Sequence, residues 1–292
     1  MEIKLLILVI VNLIIFKTSK KFFKIVGIFD YPIEKRKIHK NPVSLSGGLI
    51  ILISYIISII LLMDKGSIIK DFIIILFSIL FYLIGYFDDK INIKPLKKTS
   101  LNIFFIIIFL FLLDEYILTD LNSIYLQKIF FLENYGILIT IFCFVTFLNA
   151  LNMYDGINGQ SGIYILFLKI YLFYLTKNEL FLLLTVPLIF FIYMNFKNKC
   201  FLGNSGVNFI SFLILIYFID SYESNSLKSV EEIILLMILP GIEMTRLFFF
   251  RIIKFKSPFQ ADNYHIHHLL LNYLDPKKVV LVTSGYAILP II

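Results

Sequence analysis

The chain has 292 residues, 59% hydrophobic and 16% charged, with a mean hydropathy of +0.90. A soluble globular domain averages about 45–50% apolar and about 25% charged residues, so this composition excludes an ordinary water-soluble domain. The net charge of +7 does not signal nucleic acid. The basic residues lie in short stretches between apolar blocks long enough to cross a bilayer, which takes roughly 17–25 residues per helix.

In chain order, helices are predicted over about 2–16, 46–63, 71–87, 101–113, 136–151, 161–176, 179–194, 205–219, 230–250 and 279–292. This describes an all-α, polytopic membrane protein with about ten transmembrane helices in one domain spanning 1–292. The first segment, IKLLILVIVNLIIF, lacks a small-residue cleavage site and runs into a basic stretch, so it reads as a retained anchor. Lys169, inside the sixth segment, is expected to snorkel. Glu243 and Arg246, three residues apart after Pro240 on the ninth segment, are expected to form an ion pair at the membrane edge. Cys143 and Cys200 sit in or beside apolar segments and read as packing residues.

Of the 27 Lys and Arg residues, 20 fall in the odd-numbered loops (17–45, 88–100, 152–160, 195–204, 246–278) and 5 in the even-numbered ones (64–70, 114–135, 177–178, 220–229). Basic loops stay in the cytoplasm, which puts the odd loops inside the cell and the N-terminus outside. The polar clusters RKIHKNPVSLSGG, GYFDDK, NALNMYDGING, FLGNSG and ADNYHIHH all fall on that same side. Separate clusters meeting at one membrane face are what a single active site on cytoplasmic loops produces.

GYFDDK places Asp88 and Asp89 at the end of the third segment. Adjacent carboxylates repel and avoid lipid unless paired, protonated or bound to a cation. Mg²⁺ is a hard ion that takes one or two carboxylates plus substrate phosphates. A helix end meeting water explains the pair equally well. Among Lys94, Lys97 and Lys98, one lysine is expected to hold a phosphate and two to be basic flank.

NALNMYDGING brings Asn149, Asn152, Asp155 and Asn158 together with Gly156 and Gly159. Such a set of amides and a carboxylate suits a base edge, a ribose or a metal, where DG or NG alone would be an ordinary turn. In FLGNSG, Asn204 and Ser205 open a helix, which makes either an anion site or a plain N-cap. In ADNYHIHH, a helical conformation would put His265 and His268 on one side with His267 beside them. Zinc is disfavoured by the lack of cysteine and of regular ligand spacing. Asp262 upstream, with Arg251, Lys254 and Lys256 nearby, favours a grip on an anion.

In this order the motifs resemble those of the polyprenyl-phosphate N-acetylhexosamine-1-phosphate transferases (glycosyltransferase family 4). This membrane family includes phospho-MurNAc-pentapeptide transferase and the GlcNAc-1-phosphate transferases of O-antigen and teichoic acid synthesis. The resemblance covers about residues 27–270, and HIHH in place of HHH is closer to the GlcNAc-type branch. It implies transfer of an amino-sugar-1-phosphate from a UDP-sugar such as UDP-GlcNAc to undecaprenyl phosphate, with release of UMP. This step would start cell-surface glycan synthesis at a cytoplasmic, Mg²⁺-dependent site (Mn²⁺ as substitute) in the inner membrane. It further implies no nucleic-acid partner, allows a homodimer, and leads one to expect a tail beyond residue 292. By resemblance Asp88, Asp89, Asp155 and His267 are catalytic, and Lys98, Asn152, Asn195, His265 and His268 bind substrate. Asp88, Asp89, Asp155 and Asn204 would hold the metal.

Three departures reduce the negative charge. Asn92 replaces the third acid of DDxxD, Asn158 stands in DGxDG, and Asn204 stands where the family has a metal-binding aspartate. They motivate one alternative, an impaired relative acting as a membrane scaffold. A cation transporter is a further alternative, disfavoured because the acids and histidines collect at one face. For the transferase, direct attack by the lipid phosphate is preferred over a phospho-enzyme, since an acceptor with a second pKa near 6 needs little help from a base.

Overall fold

The structure, a computed structural model, describes residues 2–32, 41–64, 66–255, 257 and 264–289. Arg36 and His39 of the first motif, and Lys256 and Asp262 before the histidines, lie outside the described residues. The helices in chain order are α1 (Glu2–Lys17), α2 (Ser19–Val26), α3 (Gly47–Leu62), α4 (Ile68–Ile91), α5 (Pro95–Leu112), α6 (Gly136–Tyr154), α7 (Gln160–Thr176), α8 (Glu179–Phe196), α9 (Gly203–Glu223), α10 (Val230–Leu236), α11 (Ile238–Ile253), α12 (Ile266–Leu270) and α13 (Pro276–Ile288). Two short antiparallel pairs interrupt them: β1 (Phe29–Asp30) with β2 (Val43–Ser44), and β3 (Asp120–Ser123) with β4 (Lys128–Phe131).

Among the described residues, five helical stretches can cross a membrane by length and composition: α4, α5, Glu133–Tyr154, α8 and α9. Joining α10 and α11 makes a sixth, and α3 and α7 are shorter apolar helices. The most hydropathic 18 residues of α9 are 94% buried, in keeping with a helix that is apolar all round.

The ninth expected segment is broken. α10 and α11 meet at Met237 with a bend of 76°. Pro240 is the cause, because it has no N–H for the carbonyl of Leu236 four residues earlier. That carbonyl is satisfied instead by the Tyr164 hydroxyl at 3.0 Å.

The chain divides into two compact units, residues 1–94 with 165–213 and residues 95–164 with 214–292. In the first, α3 packs on α8, α1 and α4, and α1 packs on α8. The segment after β2 runs beside the start of α9, with the Phe201 N–H donating to the Ser44 carbonyl and the Gly47 N–H to the Phe201 carbonyl, both at 2.9 Å. α4 crosses the same start at Gly85, where a Cβ would lie 2.3 Å from the Asn204 carbonyl oxygen. A side chain there would push Asn204 away from the aspartates one turn further along α4.

Lys169 does not snorkel. It is 3% exposed, with its Nζ 5.4 Å from the centre of the Phe181 ring. The side chain lies among apolar residues of α3, α8 and α9, including Tyr55, Leu184 and Phe209.

In the second unit α6 packs on α11 and α5, and α13 on α11 and α12. Ile157, Val279 and Val280 form a small buried core with Ile163, Leu270, Leu271 and Leu274 around it. This core lies under both the DGING turn and the histidine helix. Cys143 and Cys200 are free, as expected.

Candidate active site

In the first unit, Asp88 and Asp89 end α4. Asp88 is buried, and its Oδ1 accepts the Ile93 N–H at 2.9 Å, closing the helix where Asn92 turns into the left-handed region at φ 49°. Asp89 is joined to α9. Its Oδ1 accepts the Asn204 N–H at 2.9 Å and its Oδ2 the Ser205 N–H at 3.0 Å, and the Asn204 side chain also hydrogen-bonds to it. A helix N-terminus presents orphan N–H groups and a partial positive charge, which favour an anion. The sequence left open whether FLGNSG caps a helix or binds an external anion. At these two N–H groups the anion is Asp89.

Asn195 closes the turn before α9, donating to the Cys200 carbonyl at 3.0 Å. The structure therefore brings Asp88, Asp89 and Asn204 together and employs the Asn195 amide in the loop that delivers Asn204.

These three residues offer two carboxylates and an amide oxygen. Among the described residues no group of three or more His, Cys, Asp or Glu is placed to hold a metal ion. The donors form no closed cage, yet they are of the right type for a hard divalent cation that keeps waters and completes its shell with substrate phosphates.

In the second unit, Asp155 caps the end of α6 and accepts a short hydrogen bond from the Ser161 hydroxyl. Asn152 and Asn158 are half-buried on either side of it, and the Asn149 amide donates to the Val145 carbonyl at 2.7 Å. Of the three lysines near the start of α5, Lys98 is half-buried, and Lys94 and Lys97 are exposed. Gly156 is required by a close approach, since a Cβ on it would fall 2.0 Å from Cε1 of His267. DG and HIHH are thus two sides of one contact, between residues more than a hundred positions apart.

The three histidines form a cluster, but not by helical stacking. His265 is the extended residue before α12, and its ring lies parallel to that of His267 at 5.3 Å. His267 and His268 are closer still at 4.5 Å, whereas His265 and His268 are 6.3 Å apart. The expected His265–His268 face is replaced because the helix begins only at Ile266. His267 is 2% exposed. Burial, followed by His268 and then His265, lowers its pKa from 6.5 to about 3, so it is a neutral imidazole at physiological pH. It can grip an anion only by donating a hydrogen bond.

Glu243 and Arg246 pair as expected, with the Arg246 Nε and Nη2 3.1 and 3.0 Å from Glu243 Oε2. Their role beyond pairing was not legible in the sequence. Glu243 is 2% exposed, accepts the Ile266 N–H at 2.7 Å and lies 3.6 Å from His265 Nδ1. Arg246 Nη2 donates to the Tyr264 carbonyl at 2.6 Å, and the Tyr264 ring packs on Phe250 at 4.9 Å. The pair fastens both sides of His265 to α11. Ser161 was likewise missed, although QSG directly after DGING was the available signal.

Long apolar helices ending in clusters of carboxylate, amide and imidazole define this as a helical integral membrane protein with its polar chemistry at the helix ends. Within that class, the chain belongs to glycosyl transferase family 4, whose sequence profile matches residues 72–222. It is similar to the undecaprenyl-phosphate alpha-N-acetylglucosaminyl 1-phosphate transferases of Escherichia coli (strain K12), at 24% identity over 93% of this chain and 77% of that one. The protein of that name from Salmonella typhi is 25% identical over 95% and 78%, and that from Haemophilus influenzae 26% over 84% and 72%.

Proposed function

We propose that this transferase moves an N-acetylhexosamine-1-phosphate from a UDP-sugar to a polyprenyl phosphate at the cytoplasmic face of the membrane. The observation that carries this reading is the neutral His267 held against Gly156, beside Asp155, by a segment fastened to Glu243 and Arg246. It is a rigid set of donors and acceptors suited to a nucleotide diphosphate. The relatives' acceptor, undecaprenyl phosphate, and the apolar helices support a lipid acceptor.

In the reaction, an oxygen of the lipid phosphate attacks the phosphorus that carries the sugar. The bond from that phosphorus to the bridging oxygen breaks, UMP leaves with the oxygen, and the sugar remains on a lipid diphosphate. Asp88 and Asp89, with Asn204 as a neutral third donor, would hold Mg²⁺, which when bound supplies positive charge to the phosphate oxygens. His265, His267 and His268 orient the donor's phosphates by N–H donation, and Lys98 adds a cation. Asn152 and Asp155 contribute hydrogen-bonding groups for the nucleotide, with Asp155 held in place by Ser161. The acceptor, with a second pKa near 6, is largely dianionic at neutral pH and needs no base.

The test is purified protein in lipid with undecaprenyl phosphate, Mg²⁺ and a panel of UDP-amino sugars, read by UMP release and by lipid-linked sugar. Equal amounts of both products from at least one donor are expected. Absence of UMP with every donor would refute the reading and leave a scaffold.

A further inference from the structure

The hairpin that joins α5 to α6 has the wrong surface for water. Its turn, Ile124 to Gln127, places Ile, Tyr and Leu where two-residue turns of Asn, Asp and Gly are usual. Tyr125 is 86% exposed and Phe131 76%, and all four residues of β4 are exposed. Phe111 and Leu112 at the end of α5 and Tyr135 and Leu138 at the start of α6 are exposed as well. A concentration of exposed apolar side chains of this kind marks an interaction.

The hairpin is also fixed in shape. Glu231 of α10 accepts from the Ser123 hydroxyl and from the N–H groups of Ile124 and Tyr125, the latter two at 3.2 and 3.3 Å. Asn122 donates its N–H to the Tyr222 hydroxyl at 2.6 Å and its amide to the Lys228 carbonyl at 2.8 Å. An apolar tip held this firmly is prepared for a partner, not collapsed for want of one.

We infer that the β3–β4 hairpin is an interfacial anchor, seated in the headgroup layer of the leaflet where α5 ends and α6 begins. Three observations identify lipid as the occupant. The hairpin joins two consecutive candidate spans, which places it at a membrane surface. Three of its eight exposed residues, Tyr125, Phe130 and Phe131, are aromatic, and Tyr125 at the turn is of the type concentrated at such interfaces. Its depth is also limited, because among the described residues β4 pairs only with β3, and an open strand edge is not tolerated in hydrocarbon. The side chains of Ile124, Tyr125 and Leu126 therefore reach the acyl boundary while the backbone stays in the wet layer. Between α5 and α6 the chain carries Asp114, Glu115, Asp120 and Glu133 against the single cation Lys128, so neutral headgroups suffice and anionic lipid adds nothing.

The chain contains no tryptophan, so Tyr125→Trp introduces a single reporter. The full-length variant is reconstituted at a low protein-to-lipid ratio into phosphatidylcholine vesicles with or without brominated acyl chains. The expected result is blue-shifted emission, strongly quenched by bromines near the headgroup end and little affected by aqueous iodide, with no change on adding phosphatidylglycerol. Phe131→Trp is the second reporter and should agree. Quenching by iodide but not by bromolipid would overturn the proposal by placing the hairpin in water. Shielding from both quenchers would also overturn it, by showing that protein covers the hairpin.

Discussion

Removing the Glu243 carboxylate tests whether the histidine cluster is positioned from α11. In Glu243→Ala the Ile266 N–H loses its acceptor at 2.7 Å and Arg246 loses its carboxylate, keeping the Tyr264 carbonyl. An orphaned buried donor costs about 1–3 kcal/mol. Stranding a fully buried charge would cost about 3–5 kcal/mol, but the Arg246 side chain is 38% exposed and rehydrates, so its share is roughly 1 kcal/mol. The sum is about 2–4 kcal/mol. Spent entirely on displacing residues 264–268, it would lower turnover between ~30-fold and ~10³-fold, at 1.36 kcal/mol per tenfold. Glu243→Gln keeps an oxygen for the Ile266 N–H and loses only the charge, so its loss should be about tenfold. UMP release gives kcat and KM, and diethyl pyrocarbonate modification independently reports exposure of His267, which should rise in the alanine variant. Parent-like kinetics together with unchanged modification would show that the Glu243–Arg246 pair does not position the cluster.

Gly156→Ala should displace the His267 ring, costing roughly 1–3 kcal/mol of stability as an overpacking change, with loss of transfer. Gly241→Ala, where nothing lies within 4 Å of the new Cβ, should stabilise α11 by about 0.5–1 kcal/mol. Thermal melting of both in detergent checks the contrast. For His267, the folded chain refuses a proton that the unfolded chain accepts, because the pKa falls from 6.5 to about 3 on folding. Its contribution to stability is therefore complete above pH 6.5 and is lost as pH falls toward 3; His267→Asn should flatten the melting temperature between pH 7.5 and 5. Asn204→Asp would set a second carboxylate beside Asp89 at a cost of roughly 1–4 kcal/mol for charges about 4 Å apart. The variant should melt lower than the parent without Mg²⁺ and recover when Mg²⁺ is added; a melt indifferent to Mg²⁺ in both would count against these residues as the metal site.

Most helices were legible because apolar blocks between polar loops reflect what a bilayer demands of each crossing. The failures have local causes. Hydropathy registers Ile233 to Phe250 as one run, and Pro240 breaks it because a single missing N–H does not change average hydropathy. Lys169 looked like a snorkelling residue because sequence shows its distance along the chain from polar loops but not the packing around it. The hairpin at 120–131 was hidden because its turn has no Asn-Gly or Asp-Gly, and its geometry is held from a distance by Glu231 and Tyr222. Within the candidate site the residue types could be read, but partner choice could not. Glu243 serves Arg246 nearby in sequence and Ile266 far from it, and only the first is visible at helical spacing.

Asp89 and Asn204 show why a departure from a motif can make physical sense. The first turn of α9 carries positive partial charge, and Asp89 supplies the anion through two N–H bonds. With Asn at 204, the neighbouring side chain hydrogen-bonds to that carboxylate instead of repelling it. A carboxylate at 204 would tighten a divalent ion when one is bound and strain the same helix start when none is. At the proposed metal site Asn204 would trade affinity for metal against self-sufficiency of the fold, and the substrate's phosphates would supply the remaining negative charge. Under the proposed function metal and donor would then load together, each weakly held without the other.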